Sequence, residues 1–320
     1  MATYRYCITP CSAAGTPFRS DTLYGHLLCA ARELDGENIL ENLVGRFKEG
    51  RPPFILSSAF PIGMLPMPVL PNIPRADFQR FARERTEFGG SMFSALEKYK
   101  DFKKIKWLPV SLWVQLSVGC SQKRLFSAYL DNLETGMFAA LVGKTELELH
   151  NTIDRQRGAV LEEGGLYTSE ATFYPPDTDL EMYVQTDDPS TFERYLEVLA
   201  KTGYGRDRST GKGSFTFRRD DGFDSSLMAG IGNALMSLSV CSHQDLSTIR
   251  GFYSVFTKYG KVWNGFGQNN PFKKPFLAFA EGSVFQELPA DGYVLHGIHS
   301  DPKIVQITWP LTLPLTLEVS

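Results

Sequence analysis

LEMYVQTDDPSTFERYLEVLAKTGYGRDRSTGKGSFTFRR, residues Leu180 to Arg219, runs through three patterns in turn. Leu180 to Thr186 alternates and is β-prone, as a half-buried strand requires. Asp188 and Pro189 then suit the N-cap and first position of a helix, with Ser190 and Glu193 as an alternative capping box. Phe192, Tyr195, Leu196 and Leu199 give that helix one apolar stripe, and Gly203 stands where a glycine ends a helix. A loop of glycines and cations follows, and SFTFRR reads as a second strand.

Working outward, Ala2 to Thr9 is an alternating strand. Ser20 or Asp21 then suits the cap of a helix with Leu23, Tyr24, Leu27, Leu28, Ala31 and Leu34 at helical spacing and Gly36 as its stop. The order is strand, helix, a long middle containing strands, then strand, helix, glycine loop, strand. With the middle treated as insertions, that is a βαββαβ ferredoxin-like (RRM-like) unit. After Gly222 the pattern restarts with NALMSLSV, a short helical segment and later strands. The expected fold class is therefore α+β, with a first ferredoxin-like unit over 1–221 and a second, degenerate one over 222–320.

The insertions differ in character. Residues 51–74, RPPFILSSAFPIGMLPMPVLPNIP, hold too many prolines for a regular helix or central strand. They read as an extended connection over the surface, the first part of an insertion spanning about 50–105. A basic helix is expected from Arg75 to about Phe88, and a strand over Leu108 to Val118. Residues of about 120–170 end in NTIDRQRG and EEGG, the turn-rich ends of a hairpin.

Composition excludes several classes. In 320 residues, 42% hydrophobic and 22% charged, the chain has the make-up of an ordinary globular protein. MATYRYCITP has no apolar core of a signal peptide, and no stretch has the length of a membrane span. Cys7, Cys11, Cys29, Cys120 and Cys241 are odd in number and scattered, which points to the reduced cytoplasm and no disulfide framework. Neither Cys7 and Cys11 nor His296 and His299 has the neighbours of a metal site, so no metal or cofactor is expected. Net charge is −3, yet the charges are segregated. Asp177 to Glu197 carries seven acids and one base, whereas no acid lies between Asp245 and Glu281, where Arg250, Lys258, Lys261, Lys273 and Lys274 fall. A near-neutral chain can thus present one basic face.

The loop from Gly203 to Phe215 looks like a phosphate cradle. It is no Walker A loop: five residues separate Gly205 from Gly211, Gly213 follows Lys212, and the helix precedes the loop. It is no dinucleotide fingerprint, because Arg208 stands at the third glycine. A polymer phosphate fits better. Glycines let backbone N–H groups approach a phosphodiester, Arg206, Arg208 and Lys212 supply charge, and Ser209 and Thr210 supply short donors. Tyr204, Trp263 or Phe266 would add base stacking. A mobile surface loop and an acidic protein partner are the competing readings.

GYGRDRSTGKGSF after a helix resembles the glycine-rich loop of the RAMP superfamily of CRISPR proteins. More narrowly, the chain is similar to the fourth-subunit family of the type III-A effector, the Csm complex. FRSDTLYGHLLCA resembles that family's first helix, SSAFPIGMLPMPVLP its proline-rich segment, and NTIDRQRGAV with GGLYTSEATFYPPDTDLEMYV its thumb hairpin and following strand. GFGQNNPFKKPFLAFAEGSVF resembles a late segment ending in a Gly-Ser turn.

The resemblance implies a non-catalytic subunit that grips the 5′ tag of the crRNA. It also implies contact with target RNA near the first guide positions, docking on the large polymerase-like signature subunit, and a backbone RAMP subunit as the other neighbour. Carried onto this sequence, the RNA-binding residues are Arg19, Ser20, His26, Thr152, Arg155, Arg157, Gly203, Tyr204, Gly205, Arg206, Arg208, Ser209, Thr210, Gly211, Lys212, Gly213, Lys258 and Lys261. The glycine loop spans 203–213, and the thumb tip lies near Thr152 to Arg157. The alternative is a metal-independent endoribonuclease with His26 as general base, a role that needs hydrogen-bond reach and a pKa near working pH.

Overall fold

The computed structural model describes residues 1–140, 143–160, 165–262 and 270–318. From the N-terminus come β1 (Ala2–Pro10), α1 (Ser20–Asp35), α2 (Glu37–Lys48) and β2 (Phe54–Leu56). Next are α3 (Arg75–Glu84), α4 (Met92–Phe102), α5 (Val110–Leu116), β3 (Val118–Cys120) and α6 (Gln122–Asp131). Then follow β4 (Lys144–Asn151), β5 (Leu166–Phe173), β6 (Leu180–Thr186), α7 (Pro189–Thr202) and β7 (Phe215–Asp220). The remainder is strands: β8 (Ala234–Ser237), β9 (Arg250–Phe252), β10 (Val255–Lys258), β11 (Phe276–Phe279), β12 (Val284–Glu287) and β13 (Thr312–Leu317).

The first sheet has the order β7-β1-β6-β2, every neighbour antiparallel. Tyr6, Ile8, Met182 and Val184 are fully buried, but so are their neighbours on the other face: Tyr6 to Ile8 and Leu180 to Val184 are buried in succession, so β6 is a strand covered on both faces and not the half-buried one its alternation suggests. α1 and α7 pack against each other and on this sheet: Phe192 lies 5.5 Å from both Tyr6 and Phe54, and Tyr24 stacks on Phe54. Asp188 caps α7 by accepting from the Thr191 N–H at 3.0 Å, with Pro189 at the first turn, as its sequence dictates. Asp35 at the end of α1 receives Arg194 and the Tyr195 hydroxyl, both at 2.8 Å, which locks the two helices together.

The second sheet has the order β9-β12-β8-β13-β3. It is antiparallel except at its edge, where β3 from the first half of the chain runs parallel to β13. Among the described residues of 222–318 there is no α-helix, only single 3₁₀ turns, so the helical segment expected there is not formed. One apolar cluster runs through both sheets, from Tyr6 to Leu315.

Three further expectations change. The proline-rich residues 51–74 do not cross the surface. Phe54, Leu56, Ser57, Ser58 and Leu65 are buried. The segment joins the sheets: Ser57 N–H donates to Tyr183 O, Ser58 N–H to Leu238 O and Val69 N–H to Gly282 O. Proline has no N–H to satisfy, and between the prolines the run forms only two- or three-residue strands, Phe54–Leu56 and Phe60–Pro61 on β6 and Met64–Pro66 on Trp107–Pro109, with single bonds satisfying donors between them. Leu108–Val118 is not a strand but a helix, α5, flanked by three-residue strands; Trp113 and Leu116 face inward at helical spacing. The 75–88 helix ends at Glu84, with a 3₁₀ turn over Thr86–Phe88.

A hairpin is present, but it starts at Lys144: Gln122–Asp131, counted with it from the sequence, is α6. β4 and β5 pair from Lys144↔Phe173 to Asn151↔Leu166, and Ile153–Asp154 pairs with Ala159–Val160 beyond them. His299 is interior, its Nε2 2.8 Å from Asn270 O, and no metal-binding cluster occurs among the described residues. No described helix is long and apolar enough to cross a membrane.

Candidate nucleic-acid interface

The glycine loop has a fixed neck and an open tip. At the neck, the Tyr204 N–H donates to Gly213 O at 2.9 Å and closes the loop on itself. A Cβ on Gly213 would sit 2.0 Å from Tyr204 O, so only glycine lets the two strands of the neck meet. The neck rests on residues 11–17, between β1 and α1. Gly213 N–H donates to Ala13 O, Ser214 N–H to Ser12 Oγ, and Arg206 N–H to Thr16 Oγ1. Sequence reasoning missed this supporting segment, whose signal is only its small residues.

Tyr204 anchors the neck. Its ring is 0% exposed, stacked on Phe18 at 4.7 Å, and its hydroxyl donates to Pro17 O at 2.8 Å and accepts from the Arg19 N–H at 3.1 Å. It therefore offers no face to a base, which corrects the stacking expected of it. Trp263 and Phe266 lie outside the described residues.

At the tip, Arg208–Thr210 form one 3₁₀ turn after Asp207, whose φ of 62° is left-handed. Ser209, Thr210 and Gly211 are exposed, and a Cβ on Gly211 would meet nothing within 4 Å. The tip cations are engaged. Lys212 pairs with Glu148 of β4 and lies 3.7 Å from Asp207, while Arg206 pairs with Asp207 at 3.3 Å and donates to Glu170 O of β5. The hairpin is thereby latched to the loop. Beside the latch opens a cleft of about 250 Å³ lined by His150, Tyr167, Thr168, Ser169, Arg206, Asp207, Thr210 and Lys212.

His26 lies one helix face away. Its Nε2 accepts from the Gly205 N–H at 3.3 Å, and its ring sits 5.2 Å from Tyr204. Burial, then the neighbouring Arg208, push its pKa down to about 4. Burial likewise raises the Cys29 thiol, against the pull of Arg208 and Lys273. Lys273 is pushed down to about 8 by burial, with its Nζ 3.0 Å from Val305 O and Gln306 Oε1. The Thr22–His26–Cys29 face of α1 thus runs between Arg208 on one side and the lysines of the second sheet region on the other.

Several predicted residues prove to be supports. Ser20 does not cap α1; it is fully buried, its Oγ accepting from the Val240 N–H at 2.9 Å. Lys258 holds the buried Asp21 carboxylate at 2.6 Å and the Thr22 hydroxyl at 3.0 Å. Arg19 lies half-exposed, 3.6 Å from Glu281 and 4.9 Å above the Phe256 ring. Thr152, Arg155 and Arg157 sit on the exposed hairpin tip, well along from the loop, and Lys261 is exposed over Phe272.

No family model matches the chain, and no curated protein matches it in sequence. Solved structures do match. A chain of the Csm1–Csm4 cassette in complex with pppApA superposes with TM-score 0.58 at 14% identity, covering 99% of each chain. A chain of the same cassette in complex with cA4 gives 0.60 at 14% identity over the whole of both. A chain of the Csm3–Csm4 subcomplex of the type III-A CRISPR–Cas interference complex gives 0.57 at 16% identity, covering 98% of this chain and 99% of that one.

The chain has a Csm-type fold. At such identities the likeness is one of backbone path.

Proposed function

We propose that this chain is a non-catalytic subunit of a type III CRISPR effector ribonucleoprotein, gripping the 5′ tag of the crRNA. The carrying observation is the glycine loop, whose neck is fixed by Tyr204 and Gly213 and whose tip stands exposed between a latched hairpin and α1, in a chain of Csm-type fold. A rigid neck with an open tip is what phosphate positioning asks for: preorganised donors without a closed pocket. The strand order β7-β1-β6-β2 supports reading the first unit as ferredoxin-like, with 222–320 as its degenerate partner. By the names of the matched complexes, a Csm1-type signature subunit and a Csm3-type backbone subunit are its neighbours, and the hairpin tip would meet guide and target RNA.

The endoribonuclease reading is disfavoured by His26. With Nε2 accepting from Gly205, the proton of the neutral ring sits on Nδ1, which leaves no free lone pair for a 2′-OH. The test is to purify the chain with its neighbours and sequence the RNA that accompanies it. Retention of a crRNA with a repeat-derived 5′ end, lost in Arg206→Glu/Arg208→Glu, is the expected result. Undiminished crRNA in that variant overturns the placement. Processing of a repeat RNA by the lone chain, abolished by His26→Ala, overturns the non-catalytic role.

A further inference from the structure

We propose a second RNA subsite, a stacking platform for single-stranded RNA on the ribbon formed by β10 and β11 with Tyr259–Val262 and Pro271–Lys274 beyond their ends. It rests on the RNA-binding reading above and adds to it a place the strand goes after leaving the loop.

The ribbon continues past its regular strands. Lys261 bridges Phe272, the Val262 N–H donates to Pro271 O at 2.7 Å, and the Lys273 N–H donates to Gly260 O at 2.9 Å. Its root is tied to α1 through Lys258 on Asp21 and Arg19 over Phe256. The ribbon is therefore continuous with the helix face beside the loop.

Its outer part presents two rings that no core claims. Tyr259 is 75% exposed and Phe272 is 55% exposed. Lys261 Nζ lies 4.8 Å from the Phe272 centroid, which covers one face of that ring and leaves the other. Lys261 and Lys274 are exposed, and among the described residues neither forms an ion pair with an acid. No Asp or Glu occurs between Asp245 and Glu281. Tyr259 lies just past the end of β10 and two residues before Lys261, at most about 7 Å along the chain. Phe272 stands opposite Lys261. Each ring takes its own splayed base while the lysines hold the phosphates. Aromatic faces interleaved with unpaired cations and no acids fit a single-stranded polyanion; an acidic protein would match the charge but leave the rings without π-stacked partners.

The experiment is fluorescence anisotropy of the whole chain with a labelled 20-nucleotide oligouridylate. Tyr259→Ala/Phe272→Ala should weaken binding about tenfold or more with an unchanged slope of log K against log salt. Tyr259→Phe/Phe272→Tyr should restore affinity. Lys261→Gln/Lys274→Gln should instead lower the slope by about 0.7 for each phosphate no longer neutralised. If the ring-less variant binds as the parent does while Arg206→Glu/Arg208→Glu fails, the platform is wrong and the loop reading stands. If the loop variant binds normally and the ring-less one does not, the platform stands and the loop reading falls. A parent chain that does not bind the probe overturns both. Loss of a co-purifying protein from the ring-less variant, with RNA affinity intact, assigns the surface to a protein and overturns the platform.

Discussion

The latch between the hairpin and the glycine loop holds back a charge that RNA needs. Lys212 is largely covered and faces Glu148 and Asp207, so a phosphate arriving at the tip competes with two carboxylates. Glu148→Gln keeps the side-chain shape and removes one competitor, which frees about one cation for RNA. For a single strand, one more phosphate contact steepens the slope of log K against log salt by about 0.7. Extrapolated from 1 M to 0.15 M salt, that slope corresponds to about fourfold tighter binding. Anisotropy titrations of a single-stranded RNA at several salt concentrations read both quantities. Stability should change little, because an incompletely buried ion pair is worth about 0–1 kcal/mol. An unchanged slope, or weaker binding, would refute the idea that Glu148 and RNA compete for Lys212.

Four other outcomes follow from the geometry. Tyr204→Phe removes one of the two partners of both Pro17 O and the Arg19 N–H, which remain bonded to each other, so thermal or denaturant unfolding should show a loss of about 0.5–1.5 kcal/mol. Gly213→Ala drives a Cβ into Tyr204 O and should unfold the neck, whereas Gly211→Ala, in open space at φ 94°, should cost only about 1–2 kcal/mol of backbone strain; equal destabilisation of the two would contradict the neck-and-tip division. His26 is held near pKa 4 in the fold, below its ordinary value of 6.5. The unfolded chain therefore binds the extra proton first, and stability falls as pH drops from about 6.5 towards 4. His26→Gln should flatten that part of the pH–stability curve, and NMR titration should find no imidazole transition above pH 5.5 at this residue. Lys258→Met leaves the Asp21 carboxylate buried without its cation, so chemical denaturation should show a loss of about 3–5 kcal/mol; a parent-like stability would free Lys258 to serve as an RNA contact.

The strand–helix–loop–strand passage was legible because each signal there is local. Asp188 caps, Pro189 starts, Phe192 to Leu199 make a stripe, and Gly203 stops the helix, and the fold uses each of them so. The hairpin was legible from its turns. What was hidden depended on partners far along the chain. Val110 to Leu116 has strand-like composition, but Trp113 and Leu116 find their burial through a helix. The proline-rich run looked superficial because proline breaks ladders, and nothing local announced that Tyr183, Leu238 and Gly282 would receive its N–H groups. The site divided the same way. Gly211, Ser209 and Thr210 are exposed as their types suggest, whereas Ser20 and Tyr204 were drawn inward by Val240, Phe18 and Pro17, neighbours that no spacing rule foretells.

The parallel pairing of β3 with β13 ties together two pieces that lie far apart along the chain. Until residue 317 has left the ribosome, Val118–Cys120 has no strand beside it, and the helices on either side wait with an unfinished edge. Such a closure has high contact order and comes late and slowly. A nascent chain of this kind has reason to assemble only once β13 has docked, when its partners meet a finished surface rather than an open one.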